Sequence, residues 1–109
     1  AENSELVAKF LKITANANAM WADKTNHAKM LPLIAKDAGM DEAATADTMS
    51  TFVFPTVDSQ LSATWLGGGA QEFMKGVADV FVNAGSIDSA LNSYAGNVNT
   101  GPLAAAHDM

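Results

Sequence analysis

SELVAKFLKITANANAMWAD, residues 4–23, carries the pattern that decides the fold class of this chain. Apolar side chains recur in it every three or four residues, which is the period of an amphipathic helix. Ser4 is a good N-cap residue, and Glu5 places a negative charge in the first turn, where the helix dipole favours it. The stretch therefore predicts a long helix with one apolar face.

Two shorter helices are predicted to follow. The second ends at Gly39, a typical residue just beyond a helix. Pro32 leaves two possibilities for its start. Because proline is well tolerated only in a first turn, this helix either begins near Met30 or is kinked between Ala28 and Pro32. A third helix spans residues 41–49, with Asp41 as its cap.

A fourth helix, about residues 70–84, is expected to be the most buried element. Its polar residues form one narrow stripe and apolar residues cover most of the remaining circumference. A helix of this kind needs neighbours on several sides. Gly85 ends it, and Ser86 or Asp88 then caps a predicted short fifth helix that carries Ala90, Leu91 and Tyr94, after which the tail is loop-like as far as Pro102.

One segment departs from the helical pattern. Residues 51–57, TFVFPTV, are rich in β-branched and aromatic side chains, and Pro55 holds Phe54 out of the helical region. The segment is predicted to be one edge strand or an extended crossing. No strand–helix–strand alternation is present, so the sequence predicts a mainly α fold of four to five helices plus one short extended segment.

Composition excludes several functional classes. The 109 residues suffice for at most one domain, and 21 of the apolar residues are alanine, which leaves a modest core. Twelve acidic residues stand against six lysines, without arginine, so nucleic acid is not an expected partner and no guanidinium can bind an anion in bidentate fashion. Cysteine is absent, which removes disulfides, thiolate nucleophiles and Cys-ligated zinc.

Few side chains are candidates for a site. Gly67-Gly68-Gly69 precedes a helix, as in anion-binding loops, but Ala70 and Gln71 follow where a phosphate loop has lysine and a hydroxyl residue, so a tight turn is the simpler interpretation. His27 and His107 have no partner at metal-ligand spacing, and no nucleophile motif is present. We therefore predict no catalytic residue, metal or cofactor. The candidate ligand contacts are Phe54, Trp65, Gly68 and Gly69.

Two stretches also carry a family resemblance. Residues 52–67, FVFPTVDSQLSATWLG, and residues 76–91, GVADVFVNAGSIDSAL, resemble the carboxy-terminal part of taurine-type periplasmic solute-binding proteins of ABC importers. Residues 3–11, NSELVAKFL, and residues 35–41, AKDAGMD, look like helices of the same family in the same order. The resemblance spans nearly the whole chain, and its specificity comes from the ordered set of segments.

The resemblance implies a function for a longer protein. Such proteins have two α/β lobes around a cleft that captures a small sulfonate or related anion in the periplasm and delivers it to a permease in the inner membrane. Residues 1–109 would be the helical carboxy-terminal segment of the first lobe, without an internal domain boundary. Most ligand contacts come from upstream residues in this family, so the segment alone is not expected to bind ligand.

Two hypotheses remain open at this point. The chain begins at Ala1 without an initiator Met, which we interpret as processing or excision. A segment cut from a lobe exposes the apolar surface that once packed on its neighbours, so the isolated chain is expected to dimerise or to exchange helices. The alternative is an autonomous helical module for protein interaction or dimerisation.

Overall fold

A computed structural model describes residues 2–109 and contains six α-helices. They are α1 (Ser4–Ala22), α2 (His27–Ala38), α3 (Glu42–Ser50), α4 (Val57–Leu61), α5 (Gly69–Asn83) and α6 (Gly101–Asp108). Two short 3-10 helices, Lys24–Asn26 and Ala95–Asn97, lie between them. No strand occurs in residues 2–109, so the predicted mainly α fold is confirmed.

The helix ends follow the local signals in the sequence. Gly39 has a left-handed φ of 68°, its N–H bonds the Lys36 carbonyl, and the N–H of Met40 reaches Ala35, which is the Schellman arrangement. Gly85 closes α5 in the same way at φ 76°. Because only glycine adopts these φ values without strain, both predicted ends are confirmed.

Asp41 caps α3 as predicted. Its backbone is extended, and its Oδ1 accepts a hydrogen bond of 2.8 Å from the Ala44 N–H. The side chain of Thr45, which is buried, donates back to the Asp41 carbonyl at 2.8 Å. Since α3 is built largely of alanine and threonine, this cap is its main local stabiliser.

Pro32 lies inside α2 and does not mark its start. The helix begins at His27, which excludes the start near Met30, the first of the two predicted alternatives. Proline has no N–H, and the bond that a different residue would make to the Ala28 carbonyl is therefore missing. The 3-10 turn before α2, capped by Asp23, allows the helix to begin before the proline.

The predicted fifth helix does not form. Residues 86–94 are irregular, and the next element is the 3-10 helix at Ala95. Serine, aspartate and asparagine are frequent in this segment, and their side chains compete for backbone hydrogen bonds. The Tyr94 hydroxyl accepts from the Leu91 N–H at 3.3 Å, which holds a turn instead.

Two helices lie outside the predicted ones. Val57–Leu61 forms α4, directly after residues 52–56, which form neither helix nor strand. Gly101–Asp108 forms α6, with Pro102 in its first turn, where proline is compatible with a helix. Residues 2–109 therefore contain six α-helices, where four to five were expected.

Backbone contacts divide the chain into two compact units. Unit 1 comprises the residues up to Lys12 together with Val57–Met109, and unit 2 comprises Ile13–Thr56. In unit 1, α4 packs on α6, and the buried apolar residues are Ala8, Leu103 and Ala106. In unit 2, α2 packs on α3, with Ala35 and Thr45 buried.

Helix α5 is not the buried centre of the fold. None of its residues is buried, although the sequence predicted it to be the most buried element. Large side chains such as Phe73 and Val80 are exposed instead. The apolar pattern of the helix is as predicted, but no element of residues 2–109 buries it.

The Gly67-Gly68-Gly69 turn brings the chain into α5 by close backbone approach. A Cβ added at Gly69 would lie 2.0 Å from the Thr64 carbonyl oxygen, and one at Gly67 would lie 2.8 Å from that of Ser62. Gly68 has a φ of 155°, which L-residues rarely adopt. No residue with a side chain fits the turn without a backbone shift.

We predict that Gly69→Ala destabilises the fold by about 1–3 kcal/mol, because overpacking against a backbone carbonyl forces a local rearrangement. Gly96→Ala is the matched control, since a Cβ there meets no atom within 4 Å. The free energy of unfolding in urea measures both. Equal stability of the two variants would contradict the role given to this turn.

We further predict that Asp41→Ala costs about 1 kcal/mol of unfolding free energy and lowers helicity, because α3 loses its N-cap. Asp37→Ala removes the same charge from α2, outside any cap, and is expected to have little effect. Circular dichroism during urea unfolding reports both quantities. An Asp41→Ala chain as stable as the Asp37→Ala chain would show that the cap is dispensable.

Candidate functional site

One exposed apolar surface of unit 1 lies on α5. It consists of Phe73, Gly76, Val77, Val80 and Phe81, and we call it the α5 face. Phe73 is 73% exposed and Val80 64% exposed, while Val77 and Phe81 are also exposed. These residues are three or four apart, so they share one side of the helix. Large continuous patches of exposed apolar surface are typical of interaction sites.

A groove of about 370 Å³ adjoins the α5 face. It is lined by Phe73, Met74, Val77, Ala78, Phe81, Ile87 and Tyr94. Ile87 and Tyr94 form one wall of the groove, and both belong to the irregular segment after α5 rather than to a fifth helix. With almost no polar lining, the groove suits an apolar side chain of a partner better than a small anion.

Two of the four candidate ligand contacts lie together. Trp65 and Gly69 line an open groove of about 440 Å³ with Thr64, Ala70, Phe73 and Met74. Gly68 is adjacent in the turn but does not line this groove. Phe54 belongs to unit 2, where its ring packs edge-on against Phe52 with the centroids 6.1 Å apart.

The glycine turn offers an anion few donors. The N–H groups of Gly67, Gly69 and Ala70 bond the backbone carbonyls of Ser62, Ala63 and Trp65 at 2.7–2.9 Å. The Gln71 side-chain amide donates to the Leu66 carbonyl at 2.6 Å and ties the turn to α5. These donors are already satisfied, so the geometry favours the tight-turn interpretation over an anion cradle.

A second, smaller pocket of about 230 Å³ has polar walls. It is lined by Gln71, Glu72, Lys75, Asn92, Ser93 and Tyr94. The ammonium of Lys75 forms an ion pair with Asp79 one turn along α5, and the Tyr94 hydroxyl holds the Leu91 N–H. The lysine of the pocket is therefore engaged within the chain.

Both histidines have structural partners. In unit 2 the His27 ring stacks on Trp21, with centroids 3.8 Å apart and planes 12° from parallel, and its Nε2 lies 2.7 Å from the Trp21 carbonyl oxygen. In unit 1 the His107 Nε2 lies 2.8 Å from the Asp58 Oδ1 and joins α6 to α4. The sequence pattern does not indicate the second pair, because it does not predict α4.

Asp23 fixes the corner between α1 and α2. Its Oδ1 accepts from the Thr25 hydroxyl at 2.7 Å and from the Thr25 N–H at 3.0 Å. The side-chain bond first, and then the backbone bond, lower the pKa of the Asp23 carboxyl below its usual 3.8. The ionised carboxylate is thus the form that caps the turn leading to the His27–Trp21 stack.

Metal and membrane sites receive no support from the described residues. No group of three or more His, Asp or Glu side chains in residues 2–109 is arranged to hold a metal ion. None of the described helices combines the length and the hydropathy that crossing a bilayer requires.

Comparison of the chain with protein-family models, curated protein sequences and solved structures finds no match.

We predict that Asp23→Ala destabilises the fold at pH 6 and that this difference shrinks in acid. Because the folded pKa is the lower one, the stabilisation is complete above the unfolded value near 3.8 and is lost as the pH falls through the folded value. Urea unfolding of both chains at about pH 6 and about pH 2 measures it. A difference that does not change with pH would assign the effect to packing rather than to the carboxylate.

Proposed function

We propose that these 109 residues are the carboxy-terminal helical segment of the substrate-binding component of an ABC importer for taurine or a related sulfonate. The intact protein would capture its ligand in the periplasm, deliver it to a permease in the inner membrane and catalyse no reaction. The proposal takes its family from the ordered resemblance of residues 3–11, 35–41, 52–67 and 76–91.

The observation that carries the proposal is the exposed α5 face. In a two-lobed α/β protein, helices cover a sheet and bury their apolar side against it. The α5 face has the composition of such a side, and residues 2–109 contain no sheet for it to cover. Residues 76–91, one of the resembling stretches, include Val80 and Phe81 of this face.

The proposal places the ligand contacts upstream of this chain. A sulfonate needs several donors or cations that converge on it. The chain has no arginine, and two of its six lysines, Lys9 and Lys75, are ion-paired with Glu5 and Asp79. The backbone donors of the glycine turn are likewise engaged. The 109-residue chain is therefore a supporting segment rather than the ligand site.

The autonomous interaction module is the second candidate, and the same exposed face favours it. A module of this kind would use the α5 face to bind another protein rather than to cover its own sheet. The coding sequence ahead of Ala1 separates the two proposals. About 200 further residues upstream with an α/β pattern, enough to complete two lobes, would support the transport protein, and their absence would contradict it.

We predict that titration of the 109-residue chain with taurine gives no binding heat, whereas the longer product of the same gene gives a saturable one. Isothermal titration calorimetry on both proteins measures this, with alanine as the ligand control. Saturable heat from the 109-residue chain would refute the upstream location of the ligand contacts. Absence of heat from the longer protein would refute a taurine-type function.

A further inference from the structure

Helix α1 carries an exposed apolar surface on the side away from its packed residues. Ala8, which is 1% exposed, marks the packed side, and it lies about 200° around the helix from Leu6. Five exposed apolar side chains on the other side form what we call the α1 stripe: Leu6, Phe10, Ile13, Ala17 and Met20. The four large ones are 53–69% exposed. The stripe lies on one continuous helix, so its geometry depends on α1 alone.

The spacing of the α1 stripe indicates that a helix covers it. Its members follow one another at intervals of four, three, four and three residues. This alternation is the heptad repeat of two helices that wrap around each other, and a helix that packs on a sheet does not need it. In heptad notation Phe10 and Ala17 are a positions, and the other three members are d positions. The expected occupant is therefore a helix with the same repeat.

Charged side chains border the α1 stripe on one side. Lys9 directly precedes Phe10, and Asp23 follows Met20 by three residues, so both are g positions, about 60–100° from the stripe. They lie at opposite ends, with the neutral Asn16 midway between them. An antiparallel pair brings the two g edges together, because reversing one helix places like edges side by side. Lys9 of each copy then lies beside Asp23 of the other, whereas a parallel pair keeps these opposite charges at opposite ends.

The contacts that these two groups make within the chain are compatible with this pairing. The ammonium of Lys9 lies 2.8 Å from the Glu5 carboxylate, and the two side chains are 60% and 78% exposed. Since an ammonium has three donors, it can hold a second carboxylate as well. Asp23 accepts both hydrogen bonds from Thr25 on Oδ1, so its Oδ2 is the atom that would meet the lysine.

The sizes of the stripe residues fit the same antiparallel register. Phe10 lies opposite Met20 and Ile13 opposite Ala17, so each layer joins a large side chain to a flexible or a small one. A parallel pair instead places Ala17 opposite Ala17 and Phe10 opposite Phe10. It leaves a gap in one layer and crowds another, and both faults are costly in a packed interface.

We propose that a second copy of the chain binds the α1 stripe, with the two α1 helices antiparallel and Lys9 of each copy paired with Asp23 of the other. The occupant must carry the same repeat and the complementary g charges, and a second α1 supplies both. The proposal concerns the 109-residue chain, is independent of the α5 face and does not rest on the transport function.

Sedimentation velocity at about 0.15 M salt and about 1–500 μM chain tests the association. We expect a reversible monomer–dimer equilibrium. Ile13→Gln should raise the dissociation constant about tenfold or more, because it puts an amide without a partner into the centre of the interface. Leu33→Gln is the matched control, since Leu33 on α2 is 68% exposed and Ile13 69%. A monomer at every concentration, or equal effects of the two variants, would overturn the proposal.

A charge reversal tests the pairing of Lys9 with Asp23. Lys9→Glu puts two carboxylates side by side at both ends of the interface and should raise the dissociation constant about fivefold or more. Lys29→Glu is the matched control, because it changes the net charge equally at an exposed position of α2. Circular dichroism is expected to show the same helicity for both variants. If both weaken association equally, only the net charge matters and the proposed register is wrong.

Single cysteines test the direction of the helices, since the chain has none of its own. In the antiparallel register Ile13→Cys of one chain faces Ala17→Cys of the other, so mixed chains are expected to form a heterodisulfide on mild oxidation. Each variant alone is the control, because four residues of rise, about 6 Å, then add to the spacing of the helices and exceed the reach of a disulfide. Ala17→Cys chains that cross-link with one another as readily as the mixture would indicate a parallel pair and overturn the proposal, as would absence of the heterodisulfide.

Discussion

The close packing of alanine controls this structure. Ala8, Ala35 and Ala106 are among its few buried residues, and Leu103 is the one large buried apolar side chain in residues 2–109. Contacts through methyl groups let helices approach closely, but each methyl removes little apolar surface from water. Burial within the chain therefore contributes modestly to stability, so the ends of the helices matter more here than in a protein with a large core. The Asp41 cap and the glycines Gly39 and Gly85 stabilise the ends of their helices.

The alanine-rich interior also bears on the exposed apolar surface of α5. Since alanines occupy the interior, the large apolar side chains of α5 remain outside, although their spacing is that of a packing helix. Phe73 and Val80 are thus ordered, helical and hydrated at once, which is costly in free energy. A covering surface, whether supplied by upstream residues or by a partner, removes that cost. The transport proposal and the interaction-module alternative both depend on this feature, and they differ in which surface covers the α5 face.

Local chemistry was predictable from the sequence, and tertiary environment was not. The amphipathic period of α1, the Asp41 cap and the φ requirement of Gly85 each depend on neighbouring residues alone. The burial of α5 depends on elements that the sequence pattern does not locate. The predicted fifth helix does not form in residues 86–94 for a local reason, because the Tyr94 hydroxyl and the polar side chains offer the backbone other hydrogen-bond partners. Of the candidate ligand contacts, Trp65 and Gly69 lie in one groove, whereas the sequence pattern predicts the neighbouring α5 face to be buried in the core.

The glycine turn has a consequence for reading related sequences. Side chains are excluded at Gly67 and Gly69 by backbone oxygens of residues 62 and 64, and at Gly68 by its φ. Each of the three adjacent positions is therefore strained by any residue that carries a side chain. A distant relative can diverge along every helix and still retain this triplet at the same distance from Trp65. The turn is therefore a fixed reference point from which the helices of such a relative can be aligned.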